Sequence, residues 1–412
     1  MYTLELTKYR YSIYASISIV FILRCFLLFH LFICREYTWD DSFQYLQIAY
    51  NLPDHYSQCT AEVYVPDLQR MPLYPLMLFV LGTNSYLILI VQFLAQTSTA
   101  VLIYYITQKY IGQYAIAVGL AYWIMPTSIL FSSLILTECF FVFLIILGIF
   151  YIQKQKWIPA AIFITASVFT RPNSVFLLFF MGIVGVLYVY HQKVSLKSGF
   201  LLFAGIVLAL CSILTWMYRN YTISKQWKIS TLADNTLIHG RLGGLLCYQK
   251  KLPYTDDNLV TQAEAYLITQ KIFEFKSYYS QVHRQETELY TQQAHKAAYH
   301  YIFSHWNDYI LFQLDCAKEL YKGMGYRSWL NILHNKLIAA SLAAVQAIFS
   351  LFCVGIFVYA AIHFKRLDMM QKIVFLSLLS MFLLSLLPYA DTRYRFPLES
   401  LVFVLWIKRS KN

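Results

Sequence analysis

Apolar runs separated by short polar stretches dominate the chain from beginning to end. Ten of them approach the roughly 20 residues of helix that cross a bilayer, and they lie at about residues 11–34, 85–106, 114–132, 134–152, 158–169, 174–190, 199–217, 336–362, 373–387 and 396–407. Within hydrocarbon, only helices and closed barrels satisfy their own backbone groups. The pattern predicts an all-α polytopic membrane protein of about ten transmembrane helices, with residues 1–412 as a single integral membrane domain.

The composition agrees with a membrane protein. Of the 412 residues, 59% are hydrophobic and only 13% are charged, against roughly 25% charged in soluble proteins. A net charge of +12 raises the question of nucleic-acid binding, but the basic residues lie between the apolar runs and not on one folded basic domain. We therefore expect membrane lipids, and no nucleic acid, among the partners.

Basic residues sort onto one side of the membrane when the loops are numbered alternately. That side receives Lys109, Lys154, Lys156, Lys193, Lys197, Lys365, Arg366, Lys372, Lys408, Arg409 and Lys411. The positive-inside rule makes it the cytoplasmic side, with both termini. The outer side receives a first loop at residues 35–75 and a long insert at residues 218–335. We predict that residues 218–253 of the insert are irregular, and that about 259–327 are helical.

The first outer loop contains two adjacent carboxylates, Asp40 and Asp41, and a lone Arg70 beside prolines. An apolar-periodic run follows the carboxylates up to Pro53, which predicts a short helix with one of them as its N-cap. Capping alone would explain an aspartate here. The alternative is a reaction site, because charged residues, mostly arginines, recur wherever the chain reaches the outer face.

Two of the apolar runs, 158–169 and 396–407, are only about twelve residues long. That is roughly 18 Å of helix, against a hydrocarbon core of about 30 Å. Arg171, Arg393 and Arg395 at their outer ends are therefore expected below the outer surface, where a lone cation is costly unless it meets an anion or a polar cavity. Guanidinium groups match phosphate oxygens, which favours a lipid-linked phosphate as the ligand. Each arginine alone is also compatible with snorkelling to the interface.

Six short motifs resemble, in this order, those of the GT-C superfamily of membrane glycosyltransferases: DSFQYLQIAYNL, RMPLYP, LTECF, TRPNS, WMYRNY and RYRFPLES. The likeness covers nearly the whole chain. It is greatest to bacterial glycosyltransferase family 39 and its relatives, the protein O-mannosyltransferases and the lipid A aminoarabinose and galacturonic acid transferases. The resemblance implies a GT-C-like bundle. It also implies inverting transfer of a sugar from a polyprenyl-phosphate donor to a glycolipid, polysaccharide or protein acceptor on the outer face.

The resemblance also implies roles for particular residues. The base corresponds to Asp41, with Asp40 as the alternative, and the second outer-loop acid corresponds to Glu138. The donor phosphate would be bound by Arg70, Arg171, Arg393 and Arg395, and the substrate cavity would include Tyr45, Tyr74, Arg219, Asn220 and Tyr394. The chain departs from the family pattern at Ser42, where family members often have Glu, and at Leu73, which replaces one of two paired prolines.

Two other functions stay open at this stage. A transporter or flippase of lipid-linked intermediates would place ionisable groups near the bilayer midplane, whereas the middles of these runs are nearly free of charge, which favours the enzyme. An inactive assembly subunit is the second alternative. The sequence requires no cofactor, although Asp41 and Glu138 together are also suited to a divalent cation. We expect the bacterial inner membrane, with the active site on its periplasmic or extracellular face.

Overall fold

The computed structural model describes residues 18, 21–22, 24–26, 38, 40–52, 57, 67–191, 195–272, 286–321, 329–330, 333–386 and 392–406. These residues are mostly helical, and no β-strand occurs among them, which confirms the predicted all-α class. Of the first predicted run, 11–34, six residues belong to the described part, and all six are helical. The rest of that run, most of residues 53–66 and the basic tail lie outside the described residues.

The helices follow one another with few long connections. Their bounds are α1 (Asp40–Asn51), α2 (Leu73–Val80), α3 (Ser85–Ile111), α4 (Ala115–Ile124), α5 (Pro126–Ser132), α6 (Thr137–Gln153), α7 (Trp157–Val168), α8 (Val175–Tyr190), α9 (Leu196–Ser224), α10 (residues 232–249), α11 (Asp256–Thr269), α12 (Glu286–Ser304), α13 (Trp306–Tyr321), α14 (Lys336–Ile362), α15 (Met369–Leu384) and α16 (Thr392–Val402).

By length and composition, three helical stretches of the described chain are able to cross a membrane. They are Ser85–Ile124, Leu196–Ser224 and Lys336–Ile362, and the pair α5 and α6 makes a fourth if two helices bent by 112° count as one span. Shorter apolar helices cover Trp157–Val168, Pro172–Leu187 and Met369–Leu384. These stretches are consistent with a membrane protein, while the ten crossings stay a prediction.

The run predicted at 114–132 is broken and does not form one helix. Pro126 has no N–H, and the residue before a proline is driven out of the helical region. Met125 accordingly has φ −55° and ψ 127°, between α4 and α5. A second break follows α5, and the chain turns sharply into α6. The break after α5 places Glu138 in the first turn of α6.

The insert is more helical than its glycines predict. The expected irregular segment, 218–253, begins with the end of α9 and contains α10, whose central part Thr236–Gly243 is π-helical. Gly243 is buried there, against the backbone of α11. A Cβ atom at this position would lie only 2.3 Å from the Leu259 carbonyl oxygen, so a larger residue would not fit. The glycine therefore permits close helix packing and does not mark a loop.

Three apolar clusters hold these helices together. The largest lies between the helices of the bundle and includes Phe131, Phe141 and Phe396. A second fills the insert around Leu242 and Phe312. A third, smaller cluster joins α1 and α2 to α3 and to the break before α6, through residues that include Tyr45, Tyr74, Leu89 and Ile135. Tyr45 and Ala49 of α1 are buried in this third cluster, so α1 is a packed element of the bundle.

Candidate functional site

Five charged side chains from separate parts of the sequence form one continuous chain of ion pairs. Arg70 Nη2 lies 2.6 Å from Asp41 Oδ1, and Arg171 Nη1 lies 2.7 Å from Glu138 Oε1. Arg393 joins the two pairs, because its Nη1 donates to Asp41 Oδ2 and its Nε donates to Glu138 Oε1. We call Asp41, Arg70, Glu138, Arg171 and Arg393 the arginine–carboxylate cluster.

The cluster is only partly covered. The Glu138 side chain is fully buried, whereas 23% of the Asp41 side chain and 17% of the Arg393 side chain are exposed. Arg70 and Arg171 are exposed by 11% and 15%. Three guanidiniums face two carboxylates, so the cluster has an excess of one positive charge. An anion arriving from outside would find Asp41 and the arginines before Glu138.

Helix α1 positions Asp41 through its own packing. Ser42 donates a hydrogen bond of 2.7 Å to the Ile135 carbonyl in the break before α6. Tyr45, one turn further, packs edge-on against Tyr74 with ring centroids 5.2 Å apart. Asp40 is the first residue of the helix, and its side chain lies outside the described part. An aspartate in a first helical turn is also favoured by the helix dipole.

Arg70 is held by a turn that Asp67 organises. Oδ1 of Asp67 accepts hydrogen bonds from the backbone N–H groups of Gln69 and Arg70, at 2.8 Å and 2.6 Å. Side-chain acceptors of this kind replace backbone turns. Gln44 of α1 completes the arrangement, since its Oε1 accepts from Arg70 Nε at 2.9 Å. The guanidinium is thereby aimed at Asp41.

The segment at the end of α9 fixes the same turn from outside. Three successive carbonyls accept hydrogen bonds from it: Arg219 Nη1 bonds to Asp67 O at 2.7 Å, Thr231 N to Leu68 O at 3.0 Å and Ser230 Oγ to Gln69 O at 2.6 Å. Asn220 in turn donates to the carbonyls of Lys228 and Ile229. Arg219, expected in the substrate cavity, therefore binds the backbone behind Arg70. Asn220, expected there too, binds the segment that leads to Ser230 and Thr231.

Glu138 stands where the chain resumes after the break. The break leaves backbone carbonyls without helical partners, and Gln92 of α3 donates to one of them, Leu134 O, at 2.6 Å. Tyr74 donates to Gln92 Oε1 at 2.7 Å. Buried polar groups are costly unless paired, so the Tyr74–Gln92 pair stabilises the irregular backbone under Glu138 and Asp41. Tyr74 is thus fully buried below the cluster and does not line an open cavity.

The two arginines of α16 lie in different surroundings. Helix α16 begins at Thr392 and not at residue 396 as predicted, so both are helical. Arg393 belongs to the cluster. Arg395, predicted to bind the same phosphate, is fully buried and its Nε lies 2.9 Å from Glu399 Oε1. Of the neighbouring aromatic side chains, the Tyr394 ring lies 6.0 Å from the Arg171 guanidinium carbon.

The electrostatics of the cluster favour an ionised Asp41. Burial alone would raise the pKa of the Asp41 carboxyl, but the positive charges of Arg393 and Arg70 and their hydrogen bonds outweigh it and hold that pKa below its usual range. A carboxylate in this state is a strong ion-pair partner and a weak base.

An apolar groove begins close to two of the arginines. Its volume is about 430 Å³, and it lies between α2, α7 and α9, where residues such as Leu73, Leu76, Ile162, Phe169 and Leu208 line it. Pro72, also in its wall, follows Arg70 by two residues, and Phe169 precedes Arg171 by two. The arginine–carboxylate cluster and the groove are therefore neighbours.

Several residues that build the site were not among the predicted ones. Asp67, Gln44, Gln92 and Ser230 all act on the cluster members or on the backbone that presents them. Gln92 had a signal in the sequence, because a glutamine within an apolar run faces protein and not lipid. Asp67 three residues before Arg70 is the pattern of a side-chain-capped turn. Ser230 had none.

Within the described part of the chain, no group of three or more His, Cys, Asp or Glu side chains is placed to hold a metal ion. Asp41 and Glu138 are the carboxylates available for one, and arginines contact both. A divalent cation stays a prediction. No protein-family profile, curated protein or solved structure matches the chain.

Proposed function

We propose that the protein is an inverting glycosyltransferase that moves a sugar from a polyprenyl-phosphate donor to an acceptor on the non-cytoplasmic face of a membrane. The observation that carries the proposal is the arginine–carboxylate cluster, in which three guanidiniums contact two carboxylates and leave a net charge of one positive unit. Guanidiniums bind phosphate through paired N–H groups. A phosphate ester with one negative charge would neutralise the cluster.

The apolar groove supports a lipid as the carrier of that phosphate. Pockets of 300–1,000 Å³ are typical of ligand sites, and this one has a volume of about 430 Å³ and mostly aliphatic walls. A prenyl chain in the groove would leave its phosphate at the end near Arg70 and Arg171. A soluble nucleotide sugar has no apolar chain to occupy such a groove.

We assign a chemical role to each residue of the cluster, and the contacts described above are compatible with these roles. The acceptor hydroxyl attacks the anomeric carbon while the bond from that carbon to the phosphate oxygen breaks, through an oxocarbenium-like transition state. Asp41 takes the hydroxyl proton as general base. Arg70 and Arg393 stabilise the charge that develops on the departing phosphate. Glu138 keeps Arg171 and Arg393 in place, since it is bonded to both.

The proposed setting is a bundle of about ten transmembrane helices of the GT-C type in a bacterial inner membrane. The cluster would then lie at headgroup depth on the periplasmic or extracellular side, with the insert above it. The helical breaks support this placement, because irregular backbone within a membrane protein is tolerated where protein side chains bind it, as Gln92 and Ser42 do here.

The test is a transfer assay with purified protein in nanodiscs. Labelled sugars on polyprenyl phosphates are incubated with lipid A, polysaccharide and protein acceptors, and wild type is compared with Asp41→Asn. We expect transfer by wild type and a loss of about 10²–10⁴-fold in the variant, the contribution of a general base. Asp256→Asn, at an exposed position in the first turn of α11, is the matched control and should retain full activity.

One outcome would correct the assignment of the base, and two would contradict the proposed function. Transfer that survives Asp41→Asn but is lost in Asp40→Asn would assign the base to Asp40. Wild type that transfers no sugar but moves the donor lipid between the leaflets of liposomes would establish a transporter instead of an enzyme. Wild type that neither transfers sugar nor moves lipid would favour an inactive assembly subunit.

A further inference from the structure

Both oxygens of Asp41 are occupied by arginines. Oδ1 accepts from Arg70 at 2.6 Å, and Oδ2 accepts from Arg393. Each oxygen can still accept a second hydrogen bond, but bonds to two guanidiniums favour the charged carboxylate over the protonated one, so Asp41 in this arrangement is a weak base. Release of Asp41 from the two guanidiniums would make it a stronger base for the acceptor hydroxyl.

A phosphate group fits the place that Asp41 occupies. Carboxylates and phosphates offer the same pair of oxygens to a guanidinium, and both bind arginine through two N–H···O bonds. Arg70 and Arg393 here converge on two oxygens of a single anion from opposite ends. The Asp41 carboxylate thus mimics the head of a phosphate ligand.

Asp41 is also the more easily displaced of the two carboxylates. Glu138 is fully buried and shared by Arg171 and Arg393, whereas the Asp41 side chain retains 23% exposure and lies in the first turn of α1. Removing a buried charge from its partners is expensive. An incoming anion would therefore displace Asp41 and leave Glu138 in place.

The charges balance throughout such an exchange. With a phosphodiester of one negative charge bound, two carboxylates and one phosphate offset three arginines. During transfer, the acceptor proton passes to Asp41 and the electron pair of the broken carbon–oxygen bond passes to the phosphate. Asp41 becomes neutral as the phosphate gains a second charge, and the arginines are again offset in full.

We propose that Asp41 and the donor phosphate compete for Arg70 and Arg393, so that donor binding frees Asp41 to act as the base and must precede acceptor deprotonation. This inference rests on the proposed function, and it adds an order of events to it. Without donor, the cluster keeps its own base weak, which would protect the site against reactions that lack a donor.

The test is a binding measurement with a short-chain prenyl phosphate, using the matched prenyl alcohol as the reference ligand. Asp41→Asn removes the competing charge, so we expect this variant to bind the phosphate at least about tenfold more tightly than wild type, or about 1.4 kcal/mol. Asp256→Asn changes the net charge equally without touching the cluster, and it should bind like wild type. Equal or weaker binding by Asp41→Asn would overturn the competition.

A second measurement uses wild type alone and does not depend on the folding of a variant. Release of Asp41 removes two of the bonds that hold α1, so prenyl phosphate should accelerate hydrogen exchange in the first turn of α1. Slower exchange there would contradict the inference. If neither protein prefers prenyl phosphate over prenyl alcohol, then the proposed function itself fails, which is a different result from either of these.

Discussion

Arg393 and Arg395 stand two residues apart on one helix, and their surroundings differ in kind. Arg393 is shared between two carboxylates in a partly exposed cluster with an excess of positive charge. Arg395 is fully buried with one carboxylate, Glu399. The remaining bonds of Glu399 are also satisfied within the protein, since Ser350 Oγ donates to it at 2.5 Å and Gln346 Nε2 at 2.8 Å.

The difference separates charges that hold the fold from charges that remain available to a ligand. Gln346 accepts from the backbone N–H of Thr127 at 3.2 Å, and Arg395 donates to the Leu320 carbonyl at 3.3 Å. The Arg395–Glu399 pair therefore fastens α16 to α14, to the broken helix α5 and to the end of α13. Arg393, at the outer end of α16, is thereby presented to Asp41 and Glu138 by a rigid element.

The largest effect is expected from breaking the buried ion pair between Arg395 and Glu399. Glu399→Gln leaves a buried guanidinium without a counterion, and we expect a loss of about 3–5 kcal/mol in unfolding free energy. Thermal unfolding in nanodiscs measures it. The double variant Arg395→Met with Glu399→Met leaves no buried charge unpaired and should be more stable than the single variant. If Glu399→Gln were as stable as wild type, the pair would have no structural role.

Removing Arg393, which belongs to the partly exposed cluster, should affect catalysis and leave the fold intact. Arg393→Gln is expected to lower the transfer rate at saturating donor by about 10²–10³-fold, the loss typical of one donor to a developing negative charge. Its unfolding temperature should stay near that of wild type, because Arg70 and Arg171 still offset the two carboxylates. Arg366→Gln, at an exposed position between α14 and α15, is the control for general loss of positive charge. Full activity of Arg393→Gln would contradict the distinction between the two arginines.

A separate group of charges around the buried Asp234, outside the candidate spans, adds a test that depends on pH. Asp234 Oδ2 lies 2.7 Å from Lys228 Nζ, and its Oδ1 lies 3.2 Å from His295 Nε2. Burial raises the pKa of Asp234, but the contacts of its carboxylate with His295 and Lys228 outweigh burial and leave that pKa below its usual range. A lowered pKa in the folded state contributes stability that is present above about pH 4 and is lost as the pH falls through the folded value.

Asp234→Asn should therefore remove about 1.5–3 kcal/mol at neutral pH, the worth of hydrogen bonds to a charged group. It should also flatten the fall in stability on acidification below about pH 4. Unfolding curves recorded across that range provide the measurement. A variant that loses stability on acidification as steeply as wild type would show that another carboxylate is responsible.

The smallest effect concerns the turn behind Arg70. Ser230→Ala removes a hydrogen bond to the Gln69 carbonyl and one from the Leu232 N–H. We expect a loss of about 1–2 kcal/mol in stability, with a higher KM for the donor because Arg70 is less firmly placed. Ser304→Ala, where the exposed hydroxyl bonds only to the Tyr301 carbonyl and to the adjacent His305 ring, should change neither quantity. If Ser230→Ala left the KM for the donor unchanged, then the turn that holds Arg70 would not influence donor binding.

Much of the cluster was predictable from the sequence, because charged residues at the ends of apolar runs gather where those ends meet. Asp41, Arg70, Glu138, Arg171 and Arg393 were all predicted site residues, and the structure brings them into contact. The functional roles given to them stay predictions. The alternation of apolar and polar segments placed these charged residues on one face, and the resemblance to GT-C glycosyltransferases assigned them to one site.

What the sequence could not decide depends on helix starts and on close packing. Residues two apart on a helix point about 200° apart around its axis, so a start at Thr392 and not at residue 396 sends Arg393 and Arg395 to opposite sides. Similarly, the sequence around Gly243 predicts a loop, whereas in the structure this glycine lets the backbone of Leu259 pack closely against the helix. Both depend on contacts between segments distant in sequence.

The most direct test of the central claim is a structure determined with a polyprenyl phosphate present. We expect phosphate oxygens within about 3 Å of the guanidiniums of Arg70 and Arg393, the prenyl chain in the groove between α2, α7 and α9, and Asp41 released from both arginines. A lipid phosphate ordered elsewhere, with Asp41 still bonded to Arg70 and Arg393, would contradict the account.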